Sequence, residues 1–169
     1  SSSAASQTAA YIRIEGPAPA VKAQLESLQN HLKGESEILA DAESAAWWRA
    51  WRELETLEPT SDQRLWRFFQ PAAEAETVLE QLRGQGAGRY GCDWAGALVW
   101  ALMPADANAQ TLHQIAAHHG GSAWRLAAGE ENLQAFTPLD PGTSRLNAEL
   151  KRAFDPEGIF DPLRLCPSP

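Results

Sequence analysis

"GRYGCDWAGALVWALMP", residues 88–104, holds two strand-like segments with too little chain between them for a helix. The second arm, 97–103, is an unbroken apolar run ended by Pro104, the pattern of a buried strand. Parallel neighbours need a crossover of about a dozen residues or more, whereas antiparallel neighbours need only a tight turn. The two arms therefore read as a hairpin, and a doubly wound parallel sheet is excluded.

Working outward, "AAEAETVLEQLRG" (72–84) reads as a helix with Ala75, Val78, Leu79 and Leu82 facing inward and Gly84 closing it. Before it, "RLWRFFQP" (64–71) is a strand with a proline exit. After the hairpin, "DANAQTLHQIAAHHGG" (106–121) is a helix with Asp106 as the expected N-cap. Strands are then expected at 122–128 and 133–139, and a closing helix at 144–154 with Leu146, Leu150 and Phe154 on one side. Towards the N-terminus, "YIRIEG" (11–16) and "SEILA" (36–40) read as short strands, and 17–34 and 41–59 as helices. Trp47, Trp51 and Leu54 form a helical stripe suited to a core first and to a ligand surface second. The expected fold is α+β, a mostly antiparallel sheet with helices on one face, close to two ferredoxin-like halves side by side. No internal repeat supports the two halves.

Composition bounds the partners. The 169 residues suffice for one domain with a real core, and 44% are hydrophobic. A formal net charge of −8 with scattered basic residues argues against nucleic acid, whose phosphates need clustered Lys and Arg. No stretch approaches the roughly 20 apolar residues of a membrane span. Cys92 and Cys166 lack a C-x-x-C companion and fit a reducing, cytoplasmic setting. Residues 1–9 are expected to be disordered linker or cloning remnant, with neither the basic nor the apolar region of a secretory signal. The chain starts without Met, which fits a processed chain or a piece of a longer one.

Most apparent motifs dissolve on inspection. Gly86–Gly91, "GAGRYG", fits G-x-G-x-x-G, but a helix precedes it and a strand follows. That reverses the strand-to-helix order that places phosphate on a helix N-terminus, so these are turn glycines. His113, His118 and His119 are spaced five and one apart, not i, i+4, so no metal site is expected. His119 instead joins Leu112 and Ile115 on the inner stripe. Glu130 and Glu131 read as solvated loop charges, and no nucleophile motif occurs. What stands out is seven tryptophans, several beside arginine or aspartate on strands: Trp66 with Arg67, Trp94 after Asp93, Trp100, and Trp124 with Arg125. Some of these side chains should project from a helix-free sheet face, which must be covered or remain as an exposed patch; a mixed wet surface with half-buried tryptophans is the other reading.

The C-terminal stretch "LKRAFDPEGIFDPLRL" (150–165) resembles the signature of FAD-linked oxidases of the vanillyl-alcohol oxidase type, roughly L-K-x-x-F-D-P-x-G-I-F-N-P-G-R. Leu150, Lys151, Phe154, Asp155, Pro156, Gly158, Ile159, Phe160, Pro162 and Arg164 match in register. Asp161 replaces the usual Asn, exchanging an amide for an acceptor-only carboxylate. Leu163 replaces the usual Gly, which disfavours a positive φ there. Upstream, "YIRIEG", "LWRFF", "CDWAGALVW" and "HHGGSAWRL" are similar, in order, to the C-terminal half of the FAD-binding (E-type) subunit of bacterial glycolate oxidases.

The resemblance implies that 10–169 is a C-terminal cap or substrate domain whose N-terminal FAD-binding domain lies outside this chain. FAD is then expected in the full-length protein and none in this chain. The implied partners are that N-terminal domain and the other glycolate oxidase subunits, in the cytoplasm or peripheral to the membrane through the complex. Asp155, Pro156, Phe160, Asp161, Pro162 and Arg164 would face the flavin domain. Trp66, Arg67, Asp93, Trp94, Trp100 and Arg125 would face flavin and substrate, in the oxidation of 2-hydroxy acids such as glycolate to glyoxylate. No matched position marks a catalytic base. The alternative is a stand-alone ferredoxin-like module binding a small molecule or a partner chain. Read by itself, Asp155-Pro156-Glu157-Gly158 has type I turn chemistry, and the chain beyond Phe160 is expected to be loosely held with Arg164 unburied.

Overall fold

The computed structural model describes residues 9–32, 34–126 and 135–160. Most of the expected N-terminal linker lies outside these residues. So do Glu130, Glu131, Asp161, Pro162, Leu163, Arg164 and Cys166, and with them the expectation about the tail. The chain divides into two units, 1–48 and 49–169, at a boundary inside the second helix.

In the first unit, Pro17 precedes α1 (Ala18–His31), its preset φ suiting the helix start. α2 (Asp41–Arg52) begins with Asp41 and Glu43 and ends with Arg49 and Arg52, each matched in sign to the helix dipole. Neither helix has a buried residue. The strands expected at 11–16 and 36–40 do not form: neither segment has a ladder partner among the described residues. Alternation alone is not a strand, because each strand needs a neighbour for its backbone groups. Tyr11 stacks on Trp47 instead, with ring centroids 3.8 Å apart.

The second unit carries the sheet. Its order is β1 (Gln63–Phe69), α3 (Ala75–Gly84), β2 (Tyr90–Asp93), β3 (Leu98–Pro104), α4 (Ala109–His118), β4 (Ser122–Leu126) and α5 (Pro141–Phe154). The spatial order is β2-β3-β1-β4, with every neighbouring pair antiparallel. The β-α-β-β-α-β run of 63–126 is thus a split β-α-β arrangement, and it is α+β as the hairpin requires. The hairpin turns through Trp94 and Ala95, both left-handed at φ 52° and 54°. Asp93 Oδ1 accepts from Trp94 N–H at 2.8 Å and holds that turn.

The core lies between the sheet and helices α3 and α4. Trp66 and Phe68 of β1, Val99, Ala101 and Met103 of β3, and Ala123 of β4 pack with Val78, Leu82, Leu112, Ile115 and Ala116. Phe68, Val78, Leu82, Val99, Met103 and Leu112 are wholly buried; each large apolar side chain so buried contributes about 1.5–3 kcal/mol. α4 starts at Asn108, whose side chain accepts from Thr111 N–H at 3.2 Å, and not at Asp106. The N–H of Ala107 bonds to the carbonyl of Pro104 at 3.0 Å, so 104–107 closes a turn of its own before the helix begins.

His119 caps the end of α4 as the inner-stripe reading anticipates. Its Nδ1 meets Glu74 Oε2 at 2.8 Å, and its Nε2 meets Gln81 at 3.1 Å. The expected strand at 133–139 reduces to one antiparallel bridge from Phe136 to Trp124. Around it, Arg125 N–H donates to the Ala135 carbonyl (2.8 Å) and Thr137 N–H to the Ala123 carbonyl (3.0 Å). Thr137 Oγ1 also accepts from Ala123 N–H at 2.7 Å and lies 3.0 Å from Nδ1 of His113, a histidine only 3% exposed.

Candidate functional site

Along β1 successive side chains point to opposite faces, so Trp66 and Phe68 enter the core while Leu65, Arg67 and Phe69 face away from the helices. Antiparallel register places Arg67 opposite Trp100 of β3 and Trp124 of β4, and residues paired in this way share a face. The Arg67 Cζ lies 4.0 Å from the Trp124 ring centroid, 4.7 Å from that of Phe69 and 5.6 Å from that of Trp100. Further rings extend the cluster. Phe69 meets Trp124 edge-on at 5.6 Å and Trp94 at 5.9 Å, and Trp124 meets Phe136 at 5.3 Å.

Part of this face is sealed by the chain itself. Leu57, Leu65 and Leu102 are buried, with Trp51, Leu54 and Trp100 packed against them. Gly91 sits opposite Trp100, and the Trp51 ring occupies the place a Cβ on residue 91 would take. The rest of the face is open: Trp94 is 63% exposed and Trp124 36%. Arg67 stands at the border between the sealed and open parts. Burial pulls its guanidinium below the usual arginine range, and its Nε is shut from solvent without a hydrogen-bond partner.

The candidates read from the sequence therefore separate. Arg67, Trp94 and Trp100 gather on the helix-free face. Asp93 supports them by holding the Trp94 turn. Trp66 does not share that face; it is 2% exposed in the helix-side core, edge-on to His113 at 5.3 Å. Arg125 pairs with Trp66 in the ladder and falls on the helix side too. Trp124, singled out beside Arg125, lies on the open face against Arg67, while two further contributors, Phe69 and Phe136, were not among the candidates. Counting parity along "RLWRFF" would have separated Arg67 and Phe69 from Trp66 and Phe68.

The tail forms a second, compact feature. Asp155 caps α5, and its carboxylate pairs with Lys151 one turn earlier. It also accepts from the N–H groups of Ile159 (2.8 Å) and Phe160 (3.0 Å). Lys151 Nζ reaches on to the Phe160 carbonyl at 2.7 Å. These contacts hold the Asp155 carboxyl below the usual aspartate range, the lysine first among them. The Gly158 N–H closes the turn onto the Asp155 carbonyl at 3.2 Å, with Gly158 at φ 65°. Asp155 is buried, whereas Pro156 is exposed and Phe154, Ile159 and Phe160 are 83%, 77% and 70% exposed. Leu146 and Leu150 of α5 are exposed as well.

Of the glycines read as turn residues, Gly86 is one, left-handed at φ 90° against Pro104, whereas Gly91 lies within β2. Among the described residues, no three His, Cys, Asp or Glu side chains are grouped to hold a metal ion. None of the described helices is long and apolar enough to cross a membrane.

Comparison with known proteins agrees with the C-terminal resemblance. The chain is 32% identical over 157 residues to the glycolate oxidase subunit GlcE of Escherichia coli (strain K12), a match covering 93% of this chain. It covers 39% of GlcE, so this chain corresponds to a part of such a protein. No protein-family model matches the chain, and no solved structure does.

Proposed function

We propose, for a chain homologous to part of the glycolate oxidase subunit GlcE, that it is the cap and substrate domain of a flavin-dependent 2-hydroxy-acid oxidising subunit. The observation that carries this reading is the half-sealed sheet face, where Arg67 and a ring of aromatic side chains lie open beside a wall the chain provides for itself. A flat aromatic face with a central cation suits the side of a planar cofactor and an anionic substrate. The FAD-binding domain that precedes the cap in the full-length protein would cover that face, and further glycolate oxidase subunits would complete the assembly, in the cytoplasm or peripheral to the membrane.

When bound, the flavin would supply the two-electron acceptor for oxidation of glycolate to glyoxylate. This chain's part would be to exclude water with Trp94, Trp100 and Trp124 and to orient the acid with Arg67. The exposed Phe154, Ile159 and Phe160, held in place by the Lys151–Asp155 pair, would dock on the flavin domain together with the residues that follow.

The test is purification of this chain alone and joined to its upstream sequence. The chain alone should desalt colourless after incubation with FAD. The extended polypeptide should retain the visible flavin spectrum, which should bleach on anaerobic addition of a 2-hydroxy acid in the assembled enzyme. Tight FAD binding by the chain alone would overturn this division of labour.

A further inference from the structure

We propose that Gln70 is a positioning residue: it holds the left-handed turn at Trp94–Gly96 and so fixes where Trp94 stands at the mouth of the open sheet face. The part played at the mouth rests on reading that face as the ligand side; the hold on the turn does not. Gln70 directly follows β1 and is only 6% exposed. A side-chain amide buried to that degree is destabilising unless it is hydrogen-bonded. Its Nε2 donates to the Gly96 carbonyl at 2.5 Å, and its backbone N–H donates to the Ala97 carbonyl at 3.1 Å. One residue thus ties down two consecutive carbonyls at the back of the turn. The amide must present its nitrogen there, because its oxygen has no proton to give to a carbonyl.

The turn needs such an anchor. Trp94 and Ala95 have φ of 52° and 54°, and neither is glycine. A Cβ in left-handed backbone crowds the carbonyl that follows, so each position persists only where the surroundings over-determine it. Asp93 fixes the front of the turn by accepting from the Trp94 N–H at 2.8 Å. Gln70 fixes the back. Gly96 seats it, since a Cβ on residue 96 would lie 2.8 Å from the Cβ of Ala75 at the start of α3. Between these anchors the Trp94 ring is 63% exposed and 5.9 Å from that of Phe69. Its place is therefore set by the turn and not by burial of its own ring. β1 sends Arg67 and Phe69 to the face, and the next residue holds the turn, so a single stretch of chain registers the one to the other.

The experiment labels the full chain with fluorotryptophan and resolves its seven indoles by fluorine NMR, with Trp94→Phe assigning the signal of interest. Gln70→Met keeps the length of the side chain and removes its donor; the Trp94 signal should shift or split while that of the core Trp66 stays in place. Gln70→Asn, one methylene shorter and out of reach of the Gly96 carbonyl, should do the same. Near-UV circular dichroism checks that the variants are folded; if Gln70→Met is not, Gln70→Asn decides the matter. An unmoved Trp94 signal in a folded variant overturns the hold on the turn. So does equal displacement of Trp94 and Trp66, the mark of a residue that supports the core alone. The part played at the mouth is read in the extended polypeptide that keeps flavin, as the 2-hydroxy-acid concentration giving half the maximal bleaching rate. Gln70→Met should raise that concentration by about threefold or more, with the limiting rate falling by a smaller factor. An unchanged concentration beside a displaced Trp94 overturns the turn's part at the mouth. An extended polypeptide that retains no flavin defeats the reading of the whole chain instead, and the Trp94 signal then decides the hold on the turn by itself.

Discussion

Gly91 is defined by what lies over it. The Trp51 ring fills the volume of a side chain at that position, so Gly91→Ala must push the indole off the sheet. Overpacking of this kind costs about 1–3 kcal/mol, to be read as a lower urea midpoint with altered tryptophan emission. Asp155 is the second decisive residue. Its carboxyl is held low by Lys151 and by two backbone N–H groups, so its proton binds more tightly in the unfolded chain than in the folded one. The stabilisation is therefore complete above the ordinary aspartate range and is lost as pH falls through the depressed folded value. Acid titration followed by NMR should show the Ile159 and Phe160 amides shifting together at a pH below that range, and Asp155→Asn should abolish the transition. The sequence showed Lys151 and Asp155 one helical turn apart within a family-like signature; it did not show that the two bind each other and fold the next five residues back.

At the level of elements, local pattern told helix from strand but not which strands would find partners. The hairpin was legible because its arms adjoin in sequence. The segment at 11–16 alternates, yet neither it nor 36–40 forms a ladder among the described residues, since pairing is decided by distant chain. Asp106 and Asn108 are both good N-cap residues; the Pro104–Ala107 turn chose between them. Residues 135–137 show the reverse case, a short segment held by backbone hydrogen bonds to β4 and by one side chain, Thr137. Thr137→Val would leave the Ala123 N–H and the His113 Nδ1 without the hydroxyl they share. A loss of about 1–3 kcal/mol is expected, together with faster amide exchange at Ala123 and Arg125.

For the molecule as a whole, the tryptophans divide by role. Trp66 belongs to the core, Trp51 and Trp100 to the sealed wall, Trp94 and Trp124 to the open face, and Trp47 and Trp48 to the N-terminal unit. Composition announced their number and could not assign these roles, which depend on cross-strand register. All four strands, α3 and α4 fall within the second unit. A chain beginning at Asp41, which keeps α2 and Trp51, should therefore unfold cooperatively within about 5 °C of the full chain, as followed by circular dichroism. The central strand carries the remaining consequence. Because β1 sends alternate residues to the folding core and to the open face, its two tasks are written on one strand without sharing a position at residues 66–69. Selection for a new ligand could rewrite 67 and 69 while leaving 66 and 68 untouched. A domain of this kind can thus change what it recognises without first having to relearn how to fold.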